Sequence, residues 1–258
     1  MDLGLEKQLF IVGGATSGFG KAISKALIEA GASIIAVARN KAKLLDLQST
    51  AAPQVTIVAG DITSKETIDT IDEIVGSRQL HGILVNAGGP PAKTFLETSL
   101  EDWDEAYKNI LRWKVYITQK FVPKMQTHQY GRMVYIESSS VKQPLENLVL
   151  SNSLRLAVVG FVKTLSQEIA NSGVTLNIMA PGSHDTAAIE RIYEKKAAQT
   201  GKSVADTRKA AIQQIPVGRL GKPEDFASLA TWLLSPLSGY ITGQTITVDG
   251  GMVKGIFG

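Results

Sequence analysis

Gln8-Leu-Phe-Ile-Val12, running directly into Gly13-Gly14-Ala15-Thr16-Ser17-Gly18-Phe19-Gly20, is the stretch on which the fold assignment rests. The first five residues form a short apolar run of the kind a buried strand shows, and the glycines after it mark a tight turn. Beyond the turn, Phe19, Ala22, Ile23, Ala26, Leu27 and Ala30 recur at the i, i+3, i+4 spacing of an amphipathic helix, which Gly31 ends. Strand, glycine turn and helix in that order make an anion site. Without a side chain in the way, backbone amides can approach a phosphate, and the helix N-terminus adds partial positive charge there. The spacing Gly14-x3-Gly18-x-Gly20 differs from the G-x-G-x-x-G fingerprint of other dinucleotide folds. Taken alone, it also fits a glycine-rich turn with no ligand.

A second apolar run, Ser33-Ile-Ile-Ala-Val-Ala38, ends at Arg39-Asn40-Lys41. In dinucleotide-binding sheets a carboxylate at this point accepts hydrogen bonds from the adenosine ribose. Here Ala38 offers none, while Arg39 brings a planar fork of donors able to hold a 2'-phosphate bidentately. The pattern favours NADP over NAD, although Arg39 and Lys41 also fit the solvated start of a helix.

Further strands read as Val55-Thr-Ile-Val-Ala59, Gly82-Ile-Leu-Val85, Arg132-Met-Val-Tyr-Ile136, Val174-Thr-Leu-Asn-Ile-Met179 and Gln244-Thr-Ile-Thr-Val248. Near-continuous apolar strands alternating with helical patterns predict a doubly wound α/β fold, a parallel sheet covered on both faces. No linker interrupts the alternation, so residues 1–258 are read as a single domain. Ligands in such sheets bind at the carboxyl ends of strands. There the chain places Gly60-Asp61, Asn86-Ala87-Gly88-Gly89, Ser138 and Pro181-Gly182.

Composition removes several other classes. Net charge is +3 with dispersed Lys and Arg, which gives nucleic-acid binding little support. The chain has no cysteine, which excludes disulfides, thiolate metal sites and cysteine nucleophiles, and His81, His128 and His184 lack metal-ligand spacing. No apolar run approaches the ~18 residues of a membrane span, and the N-terminal residues lack a signal-length apolar core. The expectation is a cytoplasmic protein that binds neither metal nor membrane.

With these residues in view, the chain resembles the short-chain dehydrogenase/reductases, nearest in pattern to the 3-oxoacyl carrier-protein reductase-like members, from about Gln8 to Gly251. The resemblance rests on Gly14-x3-Gly18-x-Gly20, Asp61, Asn86-Ala87-Gly88, Pro181-Gly182 with Thr186, Ile215-Pro-Val-Gly-Arg-Leu-Gly-Lys-Pro-Glu224 and Val248-Asp-Gly-Gly251. It implies a Rossmann fold holding NADP through Gly14, Thr16, Ser17, Gly18, Phe19, Gly20, Arg39, Asp61, Ile62, Asn86, Ala87, Gly88, Arg155, Pro181, Gly182 and Thr186. In the family Asp61 would contact the adenine, Asn86 would support its strand, and Pro181 to Thr186 would bracket the nicotinamide. Two-fold contacts through the helices around Trp103 to Met125 and Leu150 to Ala170, and through the segment from Val248 to Phe257, imply a homotetramer.

The resemblance also exposes a mismatch. The family's catalytic set is an Asn, a Ser, a Tyr and a Lys, the last two written Y-x-x-x-K. Counting from Gly131-Arg-Met-Val-Tyr-Ile puts the serine on Ser138. Counting back from Gly160-Phe161 puts the tyrosine on Ser151 and the lysine on Arg155, and the separation (151 − 138 = 13) fits without a gap. The asparagine falls on Ile110. Serine is a far weaker acid than tyrosine, and Arg155 can bond a ribose but does not release its proton. Candidates for a replacement acid are Tyr135, Glu137, Lys142, Glu146 and His184. His184 stands out because it lies between Pro181-Gly182 and Thr186 and has a reference pKa near 6.5, yet a loop histidine facing solvent or stacking on the cofactor fits equally. Tyr135 also fits a packing role, and Ser138 a polar run, Ser138-Ser-Ser140.

Residues 187–214 read as a helical lid over substrate, broken at Gly201, with Ile189, Ile192 and Tyr193 either lining the pocket or packing on the core. The sequence therefore predicts an NADP(H)-dependent oxidoreductase acting on a small carbonyl or alcohol, with Ser138, Ser151, Arg155 and His184 as the catalytic candidates. The competing prediction is a catalytically silent NADP-binding subunit or sensor.

Overall fold

In a computed structural model, which describes residues 2–256, the chain alternates strand and helix almost throughout. The elements are β1 (Leu9–Gly13), α1 (Gly18–Glu29), β2 (Ser33–Ala38), α2 (Lys41–Ala51), β3 (Val55–Ala59), α3 (Lys65–Val75), β4 (Gly82–Val85), α4 (Leu100–Tyr107), α5 (Trp113–Thr127), β5 (Gly131–Ile136), α6 (Val149–Glu168), β6 (Val174–Pro181), α7 (Ala187–Thr200), α8 (Val204–Ile212), α9 (Pro223–Leu234) and β7 (Thr245–Val248). The strands form one sheet in the order β3-β2-β1-β4-β5-β6-β7. Every adjacent pair is parallel.

The apolar runs follow from this arrangement, because a parallel strand is covered on both faces. On one face Ile11, Ile35, Ile83, Met133 and Tyr135 pack with Ile71, Phe121 and Val162 of α3, α5 and α6. On the other, Phe10, Ile34, Leu84 and Val134 pack with Leu27, Leu44 and Leu233 of α1, α2 and α9. The chain winds outward from β1 in both directions. A crevice therefore opens where β1 and β4 lie side by side, at the topological switch point where such sheets bind ligands.

Two local features differ from a plain reading of the sequence. Between α4 and α5 the helix widens into a π-turn, Lys108–Arg112. The Trp113 indole N–H donates to the Asn109 carbonyl at 2.9 Å there. Such bulges re-aim side chains and recur at functional sites. Here Ile110, Trp113 and Lys114 all point into the protein.

The region expected to act as a lid is two helices, α7 and α8, separated at Gly201, whose φ of +68° a glycine adopts without strain. Ile189 and Tyr193 pack with Val204, Ile215 and Leu220 in a small core of their own, and Ile192 is exposed. Ile189 and Tyr193 hold α7 and α8 to the segment leading to α9. Phe257, the end of the expected C-terminal contact segment, lies outside the described residues.

Candidate active site at the strand ends

A cavity of about 810 Å³ runs across the carboxyl ends of the strands, well within the size range of cofactor pockets. One end is built almost entirely of backbone. Gly14 has a φ of +67°, and a Cβ there would stand 2.8 Å from the Asn86 side-chain nitrogen. A Cβ at Gly20 would overlap the Gly14 carbonyl, so only glycine lets α1 begin directly against the turn. Asn86, at the end of β4, donates from Nδ2 to the Gly13 carbonyl at 3.0 Å and braces the turn. Ser17, the N-cap of α1, makes no side-chain cap hydrogen bond, which leaves the first-turn amides facing the cavity.

Of the residues that the sequence assigned to a cofactor, Gly14, Thr16, Ser17, Gly18, Phe19, Arg39, Asp61, Ile62, Asn86, Ala87, Gly88, Arg155, Pro181 and Thr186 line this cavity. Gly20 and Gly182 stand behind the wall, Gly20 against Gly14 and Gly182 against Asp249, where they permit close packing. At the β2 end Arg39 is joined by Asn40 and Lys43. Sequence reasoning picked Lys41 and missed Lys43. The signal was the Asn40 cap, whose side chain accepts from the Lys43 backbone N–H at 3.0 Å and so fixes the first turn of α2.

The other end of the cavity depends on charged side chains. Arg155, on α6, lines the cavity, and a Cβ on Gly89 would lie 2.9 Å from its Nη2. Its Nε donates to Ser151 Oγ at 3.0 Å, one turn earlier on α6, and its Nη1 to Glu137 Oε2 at 2.9 Å. The second Glu137 oxygen accepts from Lys114 Nζ. The side chains of Lys114, Glu137 and Arg155 are 4%, 0% and 11% exposed. Burial pushes Lys114 down to about 8, with the Arg155 charge acting the same way and Glu137 opposing both.

The remaining catalytic candidates fall elsewhere. Ser138 caps the short turn Ser139–Val141, accepting from the Ser140 N–H at 3.1 Å, and is absent from the cavity wall. His184 is 3% exposed, edge-on to Phe19 and Phe226 at centroid distances of 5.0 and 5.6 Å. It lines a separate cavity of about 230 Å³ with Arg219, Asp225 and Asp249, and burial lowers its pKa. Phe19 stands between His184 and the large cavity, so the structure does not bring this histidine to Arg155. Tyr135 is fully buried and bonded to Thr118 Oγ1 at 2.6 Å, and burial raises its pKa. Lys142 and Glu146 are exposed on the β5–α6 connection, off the wall. Only Glu137 of the replacement candidates joins Arg155. Lys114 was missed, although it sits on the stripe of Ile110, Ile117 and Phe121 where a lysine is out of place.

Among the described residues no cluster has the makings of a metal site, and no helix is long and apolar enough to cross a membrane. Residues 14–253 match the family described as enoyl-(acyl carrier protein) reductase. The chain is 32% identical to the 3-oxoacyl-[acyl-carrier-protein] reductase of Aquifex aeolicus across 98% of its own length and 100% of that protein's. Its fold superposes with a TM-score of 0.92 on L-sorbose reductase from Gluconobacter frateurii, solved with NADPH and L-sorbose, at 26% identity over 99% of this chain and 100% of that one. The same TM-score of 0.92 relates it to YwfH, an NADPH-dependent reductase involved in bacilysin biosynthesis, at 25% identity over 97% and 100% of the two chains. A parallel sheet with its cavity at the switch point, a glycine turn braced by Asn86 and a match that spans nearly the whole chain lead to one assignment: the protein belongs to the short-chain dehydrogenase/reductase family.

Proposed function

We propose that this protein is an NADP(H)-dependent oxidoreductase that moves hydride between the nicotinamide and a small carbonyl or alcohol substrate, with a rebuilt or impaired acid–base site beside Arg155. The observation that carries this reading is the continuity of one cavity from the glycine turn and Arg39 to Arg155. The residues present fit a phosphorylated dinucleotide. Gly14 keeps the turn open to a pyrophosphate, the α1 N-terminus offers free amides, and Arg39 and Lys43 give a 2'-phosphate two cations where a carboxylate would repel it. When bound, the cofactor supplies the hydride and its electron pair.

For the substrate oxygen the chain offers Arg155 on the cavity wall, with the Ser151 hydroxyl one turn behind it and off the wall. Ser151 accepts from Arg155 Nε, so it helps to hold the guanidinium and keeps its own O–H as a donor. Loss of a positioned tyrosine acid costs about 10²- to 10⁴-fold in rate. Stabilisation of the developing alkoxide by a fixed cation offsets part of that loss. Ser138 serves here as a turn cap, accepting from the Ser140 N–H and keeping its own O–H as a donor, off the cavity wall. The contact helices α4, α5 and α6 support a homotetramer, with Tyr107 and Leu156 exposed on them.

The competing reading, a silent NADP-binding subunit, is favoured by one observation: the Ser151 hydroxyl cannot replace a tyrosine in acidity or reach. Fluorescence and turnover separate the two. NADPH should quench emission from Trp103 and Trp113 and be oxidised on mixing with members of a ketone and aldehyde panel. Quenching without oxidation across the panel would support the silent subunit, and absence of both would refute the cofactor assignment.

A further inference from the structure

Three charged side chains packed into the wall of a cavity require a reason, because each ion taken from water costs several kcal/mol and apolar replacements of such groups are often no less stable. Lys114, Glu137 and Arg155 come from α5, the residue after β5, and α6, and they meet in one line of hydrogen bonds. Arg155, beside Gly89, and Glu137 line the cavity, and Lys114 does not. Lys114 is shut away behind them, with its ammonium over the Trp113 ring at 5.7 Å.

We infer that Lys114, Glu137 and Arg155 work as one unit behind the reacting atoms: Glu137, held from behind by Lys114, fixes Arg155 toward the cavity, and the proton on Lys114 sets the net charge the unit presents to the substrate oxygen. This rests on the oxidoreductase reading above. Lys114 and Glu137 are positioning residues, and Arg155 is the member that touches the ligand. With Lys114 protonated, two cations and one anion leave the unit one positive charge; without that proton it is neutral. As hydride reaches a carbonyl carbon, the C=O π electrons move onto oxygen, a positive unit lowers the energy of that alkoxide, and the alkoxide then takes its proton from solvent water, leaving hydroxide and the alcohol.

Burial brings Lys114 to about 8, whereas a solvated lysine keeps its proton to about pH 10.4. The charged and titratable groups facing it are Glu137 after β5, Arg155 on α6 and, through Thr118, Tyr135 on β5. Burial raises Tyr135 out of this range, so Lys114 is the group that switches.

The test follows lysine protonation and turnover together. In protein labelled with [ε-¹³C]lysine, without NADPH, one signal should titrate with a midpoint near pH 8, vanish in Lys114→Arg and move to lower pH in Glu137→Gln. The rate of carbonyl reduction should fall roughly tenfold as pH rises through that midpoint. Lys114→Met should lose this alkaline limb and run at the lower rate throughout; Lys114→Arg should lose the limb while keeping the charge. If Lys114→Met does not fold, the arginine variant and the labelled wild type decide the matter. A limb that persists in either variant, or a lysine spectrum with no titration below pH 10, overturns the inference. NADPH binding and turnover that do not depend on pH would overturn it alone. Failure to bind NADPH at any pH would remove the cofactor reading, and the inference with it.

Discussion

The two ends of the cavity are built from different materials. At the phosphate end the working parts are backbone amides, a helix terminus and glycines whose missing side chains make room. At the Arg155 end they are side chains, drawn from three elements and dependent on each other's charge. A site of the first kind is specified locally and tolerates change elsewhere in the chain. A site of the second kind can be altered by one substitution. That difference is in keeping with the proposal above, in which the phosphate end keeps the pattern of the resemblance and positions 110, 151 and 155, here isoleucine, serine and arginine, depart from it.

The most disruptive way to probe the contrast is to remove the central anion. Glu137→Ala leaves two buried cations facing each other and should lower unfolding stability by about 3–5 kcal/mol in denaturant titrations. A loss comparable with that of an exposed ion pair, below about 1 kcal/mol, would show that the trio is solvated.

A pH series tests the same end without mutation. Lys114 is lowered from 10.5 to about 8 in the folded protein. Between these values the unfolded chain holds a proton that the native state has released, so stability should rise with pH, by up to about 3 kcal/mol. Above pH 10 the trend should reverse, since Tyr135, raised by burial, keeps a proton that the unfolded chain gives up. Chemical denaturation at pH 7, 8, 9 and 10 would show the rise, and Lys114→Met should flatten it. A flat wild-type profile would refute the buried-lysine account.

The gentlest probe is at the opposite end. Arg39→Ala should weaken NADPH binding about tenfold, the worth of one charge-assisted contact, and leave NADH binding nearly as it was. Equal losses for both coenzymes would mean that Arg39 does not face a 2'-phosphate.

The same contrast explains what could be read in the sequence. Ser33–Ala38, Val55–Ala59 and Gly82–Val85 were delimited correctly because strands buried on both faces are apolar without interruption, and their ends meet glycine or polar residues. The glycine turn was legible because its function lies within a dozen consecutive residues. The Lys114–Glu137–Arg155 line was not, since its members lie 23 and 18 positions from Glu137 in sequence and their meeting depends on α5 and α6 packing beside β5. The π-turn before α5 leaves no mark in residue spacing, yet it directly precedes Lys114. His184 misled for the opposite reason. Its place next to Pro181-Gly182 suggested the nicotinamide, but the ring packs edge-on against Phe19 and Phe226. Sequence gives a loop residue's neighbours along the chain and not the direction its side chain takes. For Ile189 and Tyr193 the sequence left pocket lining and core packing both open, and the structure packs them between α7, α8 and the chain before α9.

Isothermal calorimetry of the purified protein with NADPH tests the central claim most directly. The account predicts saturable binding accompanied by a rise in Tm that grows with NADPH concentration, and weaker binding of NADH under the same conditions. No heat and no change in Tm at millimolar NADPH would contradict it.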